Sequence, residues 1–114
     1  MKLEELTNWV EDFRDERDWK QFHHPKDLAM ALSIEAAEVL ELFRFQSPQE
    51  IDQKMPQLRS KLGEELADCL FFVLLMARDC QIDLAEAVRL KLEQNARKYP
   101  VELSRGRNLK YTEL

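Results

Sequence analysis

Four carboxylates stand in two apolar stretches of the chain. Glu35 and Glu38 follow one stretch, and Glu65 and Asp68 lie at the start of another. Each pair is spaced i, i+3, so in a helix both members project from one face about one turn apart. Carboxylates rarely enter a core unless they are paired or bind a metal, and neither stretch contains a matching Lys or Arg. The pattern predicts that the four side chains hold a divalent cation through oxygen ligands.

The ligand type narrows the choice of metal. An all-carboxylate set favours Mg²⁺, with Mn²⁺ as a substitute, over Zn²⁺. Di-iron carboxylate bundles are the main alternative, but they use Glu-x-x-His motifs. Both histidines of this chain, His23 and His24, lie outside the Glu-bearing stretches, which makes that alternative weak. Because Mg²⁺ commonly acts on substrate phosphates, the set indicates phosphoryl chemistry.

A second group of residues could bind a phosphorylated substrate. Three polar residues at i, i+4 and i+7 share one face of a later helix and are candidates for phosphate contact: Lys91, Asn95 and Lys98. The alternative is that they form an ordinary solvent-exposed polar face. Five ring-bearing residues are candidates for a base-binding pocket, although plain core packing is equally open: Trp19, Phe22, His23, Phe45 and Phe72.

Length and composition describe a single folded domain over residues 1–114. The chain is 45% hydrophobic and 34% charged, with a net charge of −5, so we expect a soluble protein that does not bind polymeric nucleic acid. The longest apolar run, Cys69 to Ala77, is far short of the roughly 20 residues that span a bilayer. No signal peptide is recognisable, and Cys69 and Cys80 are placed too far apart on one helix to bridge. We therefore expect a cytoplasmic protein with reduced thiols and no membrane partner.

An all-α fold follows from the helical periodicity and from only two glycines. We expect one helix from the N-terminus to about residues 19–22 and a second from Pro25 to about Phe45. A short helix should begin at the Ser47-Pro48-Gln49-Glu50 capping box and be interrupted by Pro56. A third long helix should then run to about Cys80, and a fourth from Asp83 to before Pro100, followed by an irregular tail over about 101–114.

Helices two and three are apolar around most of their circumference. A surface helix needs only one apolar stripe, so these two should be buried from several sides. A monomeric four-helix bundle with a central pair is one solution. The other, which we favour, is a homo-oligomer whose helices pack across subunits.

The motifs together resemble the all-α nucleoside triphosphate pyrophosphohydrolases, the MazG-like family. Glu35-x-x-Glu38 and Glu65-x-x-Asp68, separated by 26 residues, match its ExxE…ExxD signature. The similarity is greatest to the dCTP pyrophosphatase branch, and it extends over nearly the whole chain through the segments at residues 16–25, 38–43, 64–68, 95–100 and 110–114.

This resemblance implies a Mg²⁺-dependent enzyme that hydrolyses a (deoxy)nucleoside triphosphate to the monophosphate and pyrophosphate. It implies a MazG-like four-helix-bundle protomer in a homotetramer, the four carboxylates as metal ligands, and Trp19 and His23 in the nucleotide pocket. Glu38 is our candidate for the general base. Three positions depart from the branch: Phe45 replaces a Trp, Phe72 a Tyr and Val10 a His, so the preference for cytosine should be relaxed.

Two alternatives remain open from the sequence. One is a catalytically inert helical interaction module that keeps the metal site for stability. The other is a hydrolase of the same superfamily that acts on dUTP or a phosphoribosyl nucleotide.

Overall fold

The computed structural model describes residues 1–114, and it is entirely helical with no strand. The predicted all-α fold is therefore confirmed. The five helices and two 3₁₀ turns are α1 Leu3–Asp15, a turn at Lys20–Phe22, α2 Pro25–Glu41, α3 Pro48–Asp79, α4 Leu84–Lys98, α5 Val101–Ser104 and a turn at Tyr111–Glu113. The chain forms two compact units, Met1–Gln81 and Ile82–Leu114.

Local side chains fix where the helices begin. The predicted capping box is present at α3, where the Ser47 hydroxyl accepts from the Glu50 backbone N–H and the Glu50 carboxylate accepts from the Ser47 N–H. Asp83 caps α4 through the Glu86 N–H, as predicted. At α2 the cap is His24, whose Nδ1 accepts from the Lys26 N–H at 3.1 Å.

Three predicted boundaries were wrong. The second helix, α2, ends at Glu41 rather than at about Phe45, which has φ 64° and is not helical. Pro56 does not interrupt a short helix, because α3 runs continuously for 32 residues with Pro56 inside it. Proline removes one backbone hydrogen bond and normally costs about 3 kcal/mol; the extensive packing of α3 against α2 can offset this cost. The first helix ends at Asp15, earlier than expected, because the chain reverses at Asp18 with φ 53° before the 3₁₀ turn.

In the first unit, α3 packs against both α2 and α1. The buried apolar side chains of this unit come from α2 and from the C-terminal half of α3: Leu28, Leu74, Leu75 and Ala77. Ion pairs connect α1 to α3, since the Arg78 guanidinium binds Glu4 and Glu11. This packing places the polar face of α2 opposite that of α3.

In the second unit, the tail returns to the end of α4. The Tyr111 ring lies edge-on to Tyr99, with centroids 6.0 Å apart, and Lys98 Nζ is 5.0 Å from the Tyr111 ring centroid. The tail was predicted to be irregular, but it contains the one-turn helix α5 and a 3₁₀ turn.

Large apolar side chains remain exposed on the two central helices. In a single chain the exposed surface includes side chains of both α2 and α3: Met30, Ile34, Leu40, Leu66 and Leu70. No helix is both long enough and apolar enough to cross a bilayer. Both cysteines are free thiols, as expected.

Candidate metal centre and adjoining cavity

The four predicted carboxylates converge. Glu35 and Glu38 project from α2 towards Glu65 and Asp68 on α3, and one oxygen from each lies within 4.8 Å of the others. The two i, i+3 spacings produce this arrangement, because each places two carboxylates one turn apart on facing helices.

Burial makes this cluster more than a charged surface patch. Glu65 is only 4% exposed and Glu35 is half-buried. The Oε2 atoms of both residues are buried and have no hydrogen-bond partner within the protein. Buried acceptors without partners are costly and rare. A divalent cation would satisfy both oxygens, so the donor set fits such an ion.

Hydrogen bonds and charges within the cluster shift the pKa values of two of its carboxyl groups. A hydrogen bond to Glu65, followed by the negative charges of Glu35 and Glu65, raises the pKa of Glu38 to about 7. The pKa of Glu65 is instead lowered, chiefly because Lys61 and then Glu38 donate hydrogen bonds to it. Without metal, the cluster therefore favours a proton on Glu38 at pH values below about 7.

We expected the four carboxylates to have no Lys or Arg partner, but one of them, Glu65, forms an ion pair with a lysine. Lys61 Nζ lies 3.1 Å from Glu65 Oε1, one turn earlier on α3. Lys61 precedes the apolar stretch, and its long side chain extends along the helix to Glu65, four residues later. One exposed lysine still leaves the cluster with excess negative charge.

A cavity of about 680 Å³ adjoins the carboxylate cluster. Glu35 and Asp68 belong to its wall, together with aromatic and acidic residues: Trp9, Val10, Asp12, Phe13, Glu16, Trp19, Phe71 and Phe72. This volume lies within the range of small-molecule sites. The carboxylates and the cavity therefore form one continuous site.

Two of the predicted pocket aromatics, Trp19 and Phe72, line this cavity. They belong to a chain of edge-to-face contacts in which Phe13 meets Trp19 at 5.9 Å and Phe71 at 6.0 Å, and Phe71 meets Phe72 at 5.1 Å. The aromatic wall is thus pre-formed.

Sequence reasoning missed most of the wall that α1 contributes. Trp9, Asp12, Phe13 and Glu16 recur at i, i+3, i+4 and i+7, which is the spacing of one helical face. That periodicity was visible in the sequence, but none of these four residues was proposed as part of the pocket.

The other three predicted pocket residues are not in the cavity wall. Phe22 is 65% exposed in the 3₁₀ turn. His23 is half-buried beside Arg14 and Asp79, where burial and then the Arg14 charge lower its pKa. Phe45 is 88% exposed in the α2–α3 connection, at φ 64°, with the Arg44 guanidinium over its ring. The binding roles of His23 and Phe45 remain predictions.

The predicted phosphate-binding residues all belong to the second unit. Lys91 and Lys98 are exposed on α4, and Asn95 between them is half-buried. Their shared face is confirmed by the continuous helix, whereas their contact with phosphate remains a prediction.

Comparisons with known proteins identify the family of this chain. Residues 30–114 match the MazG-like family. The bovine dCTP pyrophosphatase 1 is 42% identical over 98% of this chain and 68% of its own length, and the human protein is 40% identical over 98% and 67%. The crystal structure of a pyrophosphatase from Archaeoglobus fulgidus superposes with a TM-score of 0.81 at 41% identity, covering 85% of this chain and 91% of that one. The family match spans both compact units, and the chain belongs to the MazG-like family.

Proposed function

We propose that this protein is a nucleoside triphosphate pyrophosphohydrolase that converts dNTPs, dCTP among them, to the monophosphate and pyrophosphate. The enzyme class predicted from the sequence agrees with its pyrophosphatase relatives. One observation carries the proposal: an aromatic cavity opens onto four converging carboxylates, two of which have buried oxygens without partners.

A nucleotide matches the two ends of this site. Triphosphates are bound to proteins through divalent cations, which the carboxylate end can hold. Aromatic side chains such as Trp19 and Phe72 offer faces and edges to a base, and base–aromatic stacking contributes about 1–3 kcal/mol per base. Lys91, Asn95 and Lys98 are our candidates for the distal phosphates, and His23 and Phe45 for further contacts with the nucleotide.

Hydrolysis transfers the nucleoside monophosphate to water. The water oxygen forms a new bond to phosphorus, the bond between the α-phosphate and pyrophosphate breaks, and a proton leaves the water. When bound, a divalent cation supplies Lewis acidity that neutralises phosphate charge and lowers the pKa of the attacking water. Glu35, Glu38, Glu65 and Asp68 would hold that cation, and Glu38, an exposed member of the set, would accept the proton from the water.

Mg²⁺ is the metal we propose, with Mn²⁺ as a substitute. All four donors are carboxylates, the hard oxygen ligands that these ions prefer. The di-iron alternative requires histidines within the cluster, and neither histidine is a member of it.

Base selectivity should be moderate. Phe72 lines the cavity without the hydroxyl of a tyrosine, and Val10 offers no polar atom beside it. Since strong discrimination needs buried polar groups, we propose that dCTP is favoured and that at least one other dNTP is accepted within about a hundredfold in kcat/KM.

We also propose that the protein is a homotetramer acting on the cytoplasmic nucleotide pool. The exposed apolar side chains of α2 and α3 support an assembly that covers them. Light scattering should then give a mass near four times the 13.6 kDa of one chain. A monomer at micromolar concentration would contradict this.

The experiment that tests the function is a panel of dNTPs and NTPs with Mg²⁺, in which pyrophosphate and orthophosphate are detected separately. Pyrophosphate and monophosphate in equal amounts support the proposal. Orthophosphate alone would indicate a different phosphatase. Mg²⁺-dependent stabilisation without turnover of any nucleotide, dUTP and phosphoribosyl nucleotides included, would favour the inert interaction module.

A further inference from the structure

The cavity contains an acidic residue that the metal centre does not use. Asp12 is an exposed residue in the C-terminal half of α1 that lines the cavity together with Trp9 and Phe13, and it is not one of the four clustered carboxylates. Asp12 has no ion pair, whereas Glu16, an acid of the cavity wall just after the end of α1, lies 3.6 Å from Arg17 Nη1. Asp12 is therefore the stronger free hydrogen-bond acceptor in this part of the wall.

The helices that line the cavity indicate a role for Asp12. Glu35 and Asp68 connect the cavity to the metal centre through α2 and α3, while Trp9, Asp12 and Phe13 form the part contributed by α1. A nucleotide whose phosphates lie at the carboxylate cluster extends its base towards the α1 aromatics. The base edge then meets Asp12.

An ionised carboxylate only accepts hydrogen bonds. The edge of cytosine presents an amino donor at N4, and Asp or Glu accepting from this group is a recurrent way of reading cytosine. Uracil and thymine present a carbonyl oxygen, O4, at the same position. That oxygen would face the carboxylate with no proton between them, which disfavours both bases.

We propose that Asp12 is a specificity-determining residue whose carboxylate accepts a hydrogen bond from the exocyclic amino group of the base, so that dCTP is preferred to dUTP and dTTP. This inference rests on the proposed function, because it assumes that the cavity holds a nucleotide base. Base selectivity would then come from Asp12 on α1, whereas the aromatic side chains of the cavity would stack on any base.

Asp12→Asn tests the inference because the amide is isosteric and can donate to O4. Its matched control is Glu5→Gln, which removes the same charge two turns earlier on the same helix, outside the cavity wall. Circular dichroism checks that both variants fold. The measurements are kcat/KM for dCTP and dUTP and, independently of turnover, the affinities for dCMP and dUMP from tryptophan fluorescence.

We expect Asp12→Asn to lower the dCTP-to-dUTP ratio by about tenfold to a hundredfold, which is the range for a hydrogen bond to a charged group, and to shift the dCMP and dUMP affinities in the same direction. Glu5→Gln should keep the wild-type ratio. Equal effects of Asp12→Asn on both bases, an equal shift in the control, or a wild-type protein that does not distinguish dCMP from dUMP would overturn the inference. Absence of turnover for every nucleotide would defeat the proposed function instead, and the binding measurements would still decide the role of Asp12.

Discussion

Arg14 and Asp79 are 65 positions apart and form a two-pronged ion pair, with Nη1–Oδ2 at 2.7 Å and Nη2–Oδ1 at 2.8 Å. The Arg14 side chain is 0% exposed, and that of Asp79 is 11% exposed. The guanidinium lowers the pKa of the Asp79 carboxyl through this hydrogen bond. The pair connects the end of α1 to the end of α3, so it supports the helix that supplies one wall of the cavity.

Asp79→Asn should destabilise the protein by roughly 3–5 kcal/mol, because the change leaves a buried guanidinium without its counter-charge. Urea unfolding monitored by circular dichroism measures this. Glu4→Gln is the matched control, since Glu4 also pairs α1 with α3 but has a side chain that is 76% exposed, and it should lose at most about 1 kcal/mol. Similar losses in the two variants would show that burial of the Arg14 pair contributes little.

Glu35→Gln should abolish hydrolysis and leave the metal-free fold intact or more heat-stable, because it removes one charge from a repelling cluster. At a Mg²⁺ concentration of 100 times Kd, the wild type should gain about 2.7 kcal/mol of stability, and the variant should lose most of this gain. Glu41→Gln is the control, because Glu41 lies on the same helix and pairs only with Arg44. A Glu35→Gln protein that retains both turnover and Mg²⁺ stabilisation would remove Glu35 from the metal site.

In EDTA, the contribution of Glu38 to thermal stability should fall as pH rises from 5 to 8, whereas His23, whose pKa is lowered, contributes with the opposite sign. The folded protein raises the pKa of Glu38 from 4.5 to about 7, so it binds this proton more tightly than the unfolded chain does. The resulting stabilisation is fully present below 4.5 and is lost as pH rises through about 7. Thermal melts of the wild type and of Glu38→Gln across this range measure it, and the variant should show a flatter dependence. The same slope in both proteins would assign the effect to other groups.

The carboxylate cluster was predictable because it follows from short spacings within single helices. Two i, i+3 pairs in apolar helices determine which side chains share a face, and two packed helices bring the faces together. The cap residues Ser47 and Asp83 were predictable for the same reason. Pro56 was misread because local propensity predicts a break, whereas the continuity of α3 depends on its packing against α2.

The cavity was less predictable because it depends on how α1 packs against α3. Periodicity shows that Trp9, Asp12 and Phe13 lie near one face, but not that this face borders Phe71 and Phe72. The Arg14–Asp79 pair was invisible for a related reason, since no sequence pattern links positions 65 residues apart.

Trp19→Ala should lower kcat/KM by about tenfold or more for every accepted nucleotide, because base stacking contributes on the order of 1–3 kcal/mol and depends little on the identity of the base. Trp19 is 41% exposed and lines the cavity, where it packs edge-on against Phe13. Phe22→Ala is a suitable control: Phe22 is 65% exposed in the adjacent 3₁₀ turn and is not part of the cavity wall, so its removal should leave kcat/KM within about twofold. Steady-state assays with dCTP, dATP and dTTP distinguish the outcomes. A uniform loss in Trp19→Ala would place stacking at Trp19, whereas an unchanged Trp19→Ala enzyme would place the base outside this cavity.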